Sequence, residues 1–285
     1  MTEGKPQMIR RTGYIGIGNI GGPIAANVVR AGFDLMVCDL REGPMKELAA
    51  LGAKTSRSPM EVGKHAELVE ISVVDDHQVE AVVAGEDGVL RGAEPGAIIA
   101  IHSTVHPRTV KQMGRLAKER GVRVVDAAVS GGERGARAKT LCYMVGGERE
   151  DFEKCRPVFA TSGKEIFHVG PLGMGVVAKA AQQAIVMMNR LSAYEGMTLG
   201  EKAGLDPKVL QAVVHASSGR SNVASGWDVY RHIGTSDPVL ARERLDAFYK
   251  GLMPALELGH ELGVPLPGLA LTQQLLERIL GLPLD

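Results

Sequence analysis

The sequence predicts a doubly wound α/β sheet followed by an all-α region, and three observations carry that prediction. Short β-rich runs alternate with helix-forming stretches up to about residue 170. A glycine-rich turn joins the first strand to the first helix, and after Gly170-Pro171-Leu172-Gly173 no further strand pattern follows. Alternating strands and helices imply a mainly parallel sheet whose ligands bind at the carboxyl ends of its strands. A chain of 285 residues is long enough for two domains with separate cores. The boundary is placed between residues 1–170 and residues 171–285.

Residues 12–17 read as the first strand, and Gly16-Ile17-Gly18-Asn19-Ile20-Gly21 leads from its end into a helix that stops at Gly32. This is G-x-G-x-x-G in a strand-to-helix setting. The first glycine permits the tight turn, the second lets backbone approach a pyrophosphate, and the third lets helix pack on strand, with the helix N-terminus facing the phosphates. Gly16, Gly18, Asn19, Ile20 and Gly21 are therefore candidate cofactor contacts. Residues 34–39 form the next strand, and Asp39 ends it about 20 residues after the glycines, where a carboxylate hydrogen-bonds the ribose hydroxyls of NAD and repels the extra phosphate of NADP. Arg41, two residues on, can swing toward such a phosphate, so NADP stays open. The predicted class is thus an α/β Rossmann-type doubly wound sheet followed by an all-α helical domain.

The alternation continues. Ser58-Pro59-Met60-Glu61 is a capping box with proline at the first helical position, ahead of a strand at 68–74. Asp76 is expected to cap the next helix, 97–101 is a further strand, and Pro107 begins a helix ended by Gly121. Residues 122–129, 141–145 and 165–169 also read as strands, with a helix near 150–160. Three strand ends become candidate ligand sites: Val73-Val74-Asp75-Asp76, His102-Ser103-Thr104-Val105-His106-Pro107 and Ser130-Gly131-Gly132. Beyond the boundary, helices are predicted at 176–203, at 207–216 with Asp206 as cap, at 239–263 and at 267–280. Pro254 should break or kink the third.

Lys plus Arg (33) balance Asp plus Glu (33), which argues against nucleic-acid or anionic-membrane partners and for a small molecule. Cys38, Cys142 and Cys155 have no C-x-x-C spacing, so neither a disulfide framework nor a zinc site is expected, and a reducing cytoplasm suits them. The eight histidines include no H-E-x-x-H, and no metal site is predicted. Residues 1–11 lack an apolar stretch of leader type, and no segment is apolar enough to span a bilayer.

Lys179 is the only Asp, Glu, Lys or Arg between Glu165 and Arg190. A charge alone among Val, Ala, Ile and Met either snorkels to water or sits in a cleft, where burial lowers a lysine's pKa and makes it a proton-transfer group. Gln182 and Gln183, three and four residues on, share its helix face and can hydrogen-bond a bound polar group. At Ser130-Gly131-Gly132, successive amides free of side chains can form an anion nest for a substrate carboxylate, or the segment is a flexible loop with a capping serine.

Taken together, these motifs resemble the β-hydroxyacid dehydrogenase family, which contains 3-hydroxyisobutyrate dehydrogenase and shares the NAD-binding domain of 6-phosphogluconate dehydrogenase. The resemblance covers nearly the whole chain. Residues 16–25 resemble the cofactor signature, 126–136 the D-A-P-V-S-G-G-x-x-G-A substrate signature, 173–183 the G-x-G-x-x-x-K-x-x-N-N catalytic signature, and Ser103-Thr104-Val105-His106-Pro107 the segment beside the nicotinamide. The resemblance implies that Lys179 is the acid/base, that Gln183 stands with it in the catalytic motif, and that Ser130, Gly131, Gly132 and Gln182 hold substrate. It also implies that Val74, Asp75, Thr104 and Lys250 lie along the cofactor. The chain departs from the pattern where Gln182 and Gln183 replace two asparagines, Ala128 replaces proline, Lys139 stands where glycine is usual, and Gly251 replaces the aspartate after Lys250. Ser217-Ser218-Gly219-Arg220-Ser221 is either the family's loop near substrate or a surface loop.

The expected activity is hydride transfer between NAD, or NADP, and a small β-hydroxy acid such as 3-hydroxyisobutyrate. Two alternatives stand beside it: an NADPH-linked aldehyde or keto-acid reductase of the same family, and a dinucleotide-binding protein without turnover. Apolar runs such as Ile185-Val186-Met187-Met188 and residues 271–280 lead us to expect a homodimer or homotetramer.

Overall fold

The structure, a computed structural model, describes residues 9–230 and 238–282. Residues 1–8, read above for a leader, lie outside them. The chain divides into two compact units, Met1–Lys179 and Ala180–Asp285.

In the first unit, eight strands form one sheet in the order β3-β2-β1-β4-β5-β6-β7-β8. They are β1 (Arg11–Ile15), β2 (Asp34–Cys38), β3 (Lys54–Ser56), β4 (Leu68–Ile71), β5 (Ile98–Ile101), β6 (Arg123–Ser130), β7 (Leu141–Gly146) and β8 (Gly163–Gly170). The helices between them are α1 (Gly21–Arg30), α2 (Glu42–Ala49), α3 (Pro59–His65), α4 (Asp76–Ala84), α5 (Val89–Gly92), α6 (Pro107–Lys118), α7 (Gly132–Ala138) and α8 (Arg149–Phe159). Neighbouring strands run parallel except β6 and β7. The link between those two, residues 131–140, is shorter than the dozen or more residues a parallel crossover takes, so the chain turns straight back. Strands β4 and β5 are buried along their whole length, as expected when helices cover both faces. One apolar cluster, with Tyr14, Ile24, Leu35, Tyr143 and Phe159, fills one side, and another, with Ile71, Val79, Ile101, Val110 and Met113, fills the other.

Several predicted boundaries move. The strand predicted at 68–74 ends at Ile71, which leaves Val73, Val74 and Asp75 in the loop at its carboxyl end. Asp75, not Asp76, caps α4, accepting from the Gln78 amide at 2.8 Å. The Asp76 carboxylate turns instead to the His106 amide at 3.0 Å and the Thr109 hydroxyl at 2.5 Å, tying this loop to the start of α6. The Ser130-Gly131-Gly132 stretch is the entry to α7. Lys139 closes that helix with φ 59°, and it is the one non-glycine with positive φ among the described residues. The family's glycine at this position is thereby explained, and lysine takes on roughly 1–2 kcal/mol of backbone strain.

Helix α9 (Met174–Lys202) begins in the first unit and continues into the second. The second unit otherwise consists of α10 (Pro207–Ala216), α11 (Asn222–Ser225), α12 (Trp227–Tyr230), α13 (Pro238–Glu261), α14 (Pro267–Gln274) and α15 (Leu276–Ile279). Asp206 caps α10 as expected, accepting from the Lys208 and Val209 amides. Of the break or kink expected at Pro254, the break does not occur: α13 runs through it, with Leu252 and Ala255 buried on either side in the unit's core. Burial of those neighbours outweighs the lost backbone hydrogen bond. The helix predicted at 267–280 is two helices that meet at Leu275.

Candidate active site

The glycine turn has the geometry its spacing predicts. Gly16 adopts φ 83°, and a side chain there would strike the Ser72 carbonyl. Gly21 packs against the Gly16 carbonyl and lies 2.8 Å, measured from an ideal Cβ position, from the Tyr14 ring. A Cβ placed on Gly18, by contrast, would meet only the Arg41 guanidinium among the described residues, at 3.5 Å. That open backbone next to the start of α1 fits a pyrophosphate, and the residues present suit a dinucleotide. Asn19 is exposed and Ile20 half-buried at the turn's apex.

Asp39 is engaged on both oxygens. Oδ2 accepts from the Ile17 amide at 2.9 Å, and Oδ1 accepts from the Arg41 amide at 2.9 Å and from Arg41 Nε at 3.1 Å. Burial alone raises its pKa, but the hydrogen bonds from Arg41 and Ile17 outweigh that and hold the carboxyl below its usual value. Asp39 therefore pins both the glycine turn and a cation at the place where a ribose hydroxyl or a 2'-phosphate would be read.

Further along the strand ends, Ser103 Oγ accepts from the Val73 amide at 2.9 Å, joining the segment expected beside the nicotinamide to the strand end at 73–76. Val74 is exposed, Thr104 is half-buried, and the Asp75 carboxylate is occupied as a helix cap. His102 is committed to the core. Its Nδ1 lies 2.7 Å from the Ala127 carbonyl and its Nε2 2.9 Å from the buried Glu70 carboxylate.

Ser130 ends β6 half-buried, followed by Gly131 and Gly132 at φ 130° and 62°. Across the ladder its partner is Cys142, and Cys142 is the titratable neighbour felt by Lys179. Lys179, Cys142 and Ser130 are thus gathered in one corner of the first unit. The lysine side chain is 9% exposed. Burial lowers its amine from 10.5 to about 8, against a smaller opposing effect of Cys142. The amine therefore changes charge close to neutral pH.

One residue that the sequence reading left unassigned stands behind this arrangement. Asp126, on β6 and fully buried, accepts from the Gly173 amide on Oδ1 and from the Val176 amide on Oδ2, each at 2.7 Å. In the sequence it stands as the first residue of the 126–136 signature and as an acid inside the apolar run of β6, with no role of its own attached.

In the second unit, Gln182 and Gln183 follow Lys179 on the unbroken α9. Gln182 Oε1 is buried without a hydrogen-bond partner, so an amide acceptor is left to be satisfied. Gln183 explains a second departure. A Cβ at Gly251 would lie 2.6 Å from Gln183 Nε2, so the longer amide occupies room that a side chain at 251 would take. Glycine inside a helix costs about 1 kcal/mol relative to alanine, which the fit with Gln183 accounts for. Lys250, adjacent on α13, is exposed. Ser221 of the 217–221 segment caps α11, accepting from the Ala224 amide at 3.1 Å.

The fold and these residues define a nicotinamide-dependent dehydrogenase, and comparison with known proteins agrees. The family model for the NAD-binding domain of 6-phosphogluconate dehydrogenase matches residues 11–170, and that for the NAD-binding region of NADP-dependent 3-hydroxyisobutyrate dehydrogenase matches residues 173–281. The chain is 36% identical to 2-(hydroxymethyl)glutarate dehydrogenase of Eubacterium barkeri, over 95% of this chain and 90% of that one. It is 37% identical to a 3-hydroxyisobutyrate dehydrogenase of Pseudomonas aeruginosa, over 75% and 73%. The solved structure of Mycobacterium tuberculosis 3-hydroxyisobutyrate dehydrogenase with L-serine superposes with a TM-score of 0.83 at 25% identity, covering 96% of this chain and 94% of that one. The chain belongs to the β-hydroxyacid dehydrogenase family of NAD(P)-dependent oxidoreductases acting on CH-OH groups.

Two predictions follow from the geometry. Asp39→Ala removes the acceptor that holds Arg41 and frees the guanidinium for a 2'-phosphate, so the ratio of kcat/KM for NAD to that for NADP should fall by about tenfold or more, equivalent to about 1.4 kcal/mol. Steady-state kinetics with both coenzymes would show an unchanged ratio if Asp39 has no part in selection. The second concerns stability. Because the folded pKa of Lys179 is about 8 and its ordinary value 10.5, the unfolded chain binds more protons across that window, so the stability cost of burying the lysine is full below about pH 8 and vanishes toward 10.5. Lys179→Met should therefore raise the unfolding free energy by a few kcal/mol at pH 7, with the gain shrinking as pH rises to 10.5 in urea titrations.

Proposed function

We propose that this dehydrogenase oxidises a small β-hydroxy acid of the 3-hydroxyisobutyrate type, with Lys179 as its general acid/base. The observation that carries the reading is the buried Lys179 amine, brought down to about 8 and gathered with Ser130. In oxidation, neutral Lys179 Nζ accepts the proton of the substrate hydroxyl. In reduction, the ammonium returns it. The bound nicotinamide supplies the hydride acceptor or donor. The amides and hydroxyl of Ser130, Gly131 and Gly132 receive the substrate carboxylate, and Gln182, with its unpartnered oxygen, and Gln183 orient the hydroxyl end from the same helix. Gly16, Gly18, Asn19, Ile20 and Gly21 cradle the pyrophosphate, Asp39 reads the ribose in favour of NAD, and Val74, Asp75, Thr104 and Lys250 flank the cofactor. These two amides are one methylene longer than asparagine, which favours a substrate of different reach from that of the asparagine-bearing relatives.

The domain division is taken as residues 1–170 for the cofactor and 171–285 for substrate and assembly. Exposed Ile185, Leu199, Val209, Val213 and Leu262 on the helical unit support a homodimer or homotetramer, which light scattering tests. A cytoplasmic setting suits the free cysteines Cys38, Cys142 and Cys155. No helix among the described residues is long and apolar enough to cross a membrane.

Lys179→Ala should lose about 100- to 10,000-fold in kcat with cofactor affinity little changed. Lys179→Arg should not rescue, because guanidinium stays protonated. Oxidation should rise with pH through about 8 as the amine becomes neutral, and reduction should fall over the same interval. A folded Lys179→Ala enzyme that keeps more than about a tenth of wild-type kcat on 3-hydroxyisobutyrate, 2-(hydroxymethyl)glutarate or L-serine would place the proton transfer elsewhere.

A further inference from the structure

We infer that Asp126 is a positioning residue for Lys179, anchoring the first turn of α9 to β6 so that the amine is delivered beside Ser130. The inference rests on the reading of Lys179 as acid/base. Helix α9 has no cap of its own, since residues 171–178 contain no Ser, Thr, Asn or Asp, and its first turn carries no acid. Gly173, Gly175 and Val176 are buried, so their amides have no water to turn to. Asp126 supplies the missing acceptors from a different element, one carboxylate oxygen to the amide before the helix and the other to the amide at its third residue.

The join is tight and electrostatically one-sided. A Cβ on Gly175 would stand 2.5 Å from the Met144 carbonyl and 2.6 Å from the Asp126 carbonyl, and one on Gly146 would press on the Asp126 carboxylate. Burial raises the pKa of Asp126, and the opposing contributions come from the backbone amides of Gly173, Val176, Gly175 and Asp126 itself rather than from a cationic side chain. The positive end of the helix dipole takes the place of a counter-ion. Charged and titratable groups near the pair are Cys142 on β7, Glu165 opposite it on β8, and Lys111 of α6, whose side chain lies against Gly173.

The β6–β7 ladder then acts as a ruler. Asp126 pairs with Gly146 at the helix entry, and Ser130 pairs with Cys142 near the amine. Four strand residues span about 13 Å, while four helical residues from Gly175 to Lys179 rise about 6 Å. The long lysine side chain covers the difference. A helix released from Asp126 would slide along this ladder, and a displacement of about 1 Å at a reacting group can cost about 100-fold in rate.

The test is Asp126→Asn in the full-length enzyme with NAD, using whichever of 3-hydroxyisobutyrate, 2-(hydroxymethyl)glutarate and L-serine the wild type turns over fastest. Asparagine offers one acceptor and sets an NH2 against the other amide, so one of the two bonds is lost. Expected are a fall in kcat of about 10- to 100-fold and an unchanged KM for NAD, with the rising limb of oxidation left near pH 8 because Cys142, not Asp126, is the charged neighbour that acts on the amine. Paired with Lys179→Ala, the double variant should be no slower than Lys179→Ala alone. Gly175→Ala, which pushes the first turn off the carboxylate, should reproduce the kcat loss and its non-additivity, and it carries the comparison if Asp126→Asn does not fold. Losses that multiply with Lys179→Ala would overturn the positioning role while leaving Lys179 as acid/base. A Lys179→Ala enzyme with more than about a tenth of wild-type kcat overturns the reading of Lys179 and this inference with it.

Discussion

Withdrawing an amine from water works against folding, and at Lys179 the first unit buries the amine with no ion-pair partner among the described residues, which lowers it to about 8. An ion pair would have returned the lysine toward its ordinary pKa and out of the range in which we propose it acts as a base. The one nearby acid on the same ladder, Asp126, is instead spent on backbone amides. Its charge stabilises the helix end, and the lysine one turn further on stays without a counter-ion.

The antiparallel pair β6 and β7 does more than extend the sheet. Its register places Asp126 and Gly146 at one level and Ser130 and Cys142 at another, so that helix entry and the candidate carboxylate site are set by the same ladder. The short return between these strands also makes α7 and brings Lys139 to positive φ. Asn27 of α1 donates to the Ala136 carbonyl at 2.9 Å, which ties the end of α7 to the helix that follows the glycine turn. One buried hydrogen bond therefore joins the helix after the glycine turn to the segment we propose for the substrate carboxylate.

In the helical unit, departures that look unrelated in the sequence belong together in space. Gln183 and Gly251 are far apart in the chain, and the fit of the amide against a residue without a side chain makes each intelligible through the other. A longer amide with room to lie in keeps the polar end available, whereas the same amide opposite an aspartate would have to move.

The sequence alone determined the doubly wound half, the glycine turn, Asp39 at the end of β2 and the isolation of Lys179. Each depends on local rules: period, turn chemistry, capping and the cost of a lone charge. Contacts between segments distant in the chain were out of its reach. Asp75 and Asp76 are adjacent acids with equal capping propensity, and only the packing of the Thr109 hydroxyl and His106 amide decided which one caps α4. Pro254 lies inside a continuous α13, where the burial of Leu252 and Ala255 that accompanies that continuity is a tertiary contact no local rule contains. Asp126 caps a helix that starts some 47 residues later, and neither residue carries a mark of the other in the sequence. Capping within a helix is written in neighbouring residues, whereas capping from a strand is decided by the sheet register that brings carboxylate and amides together.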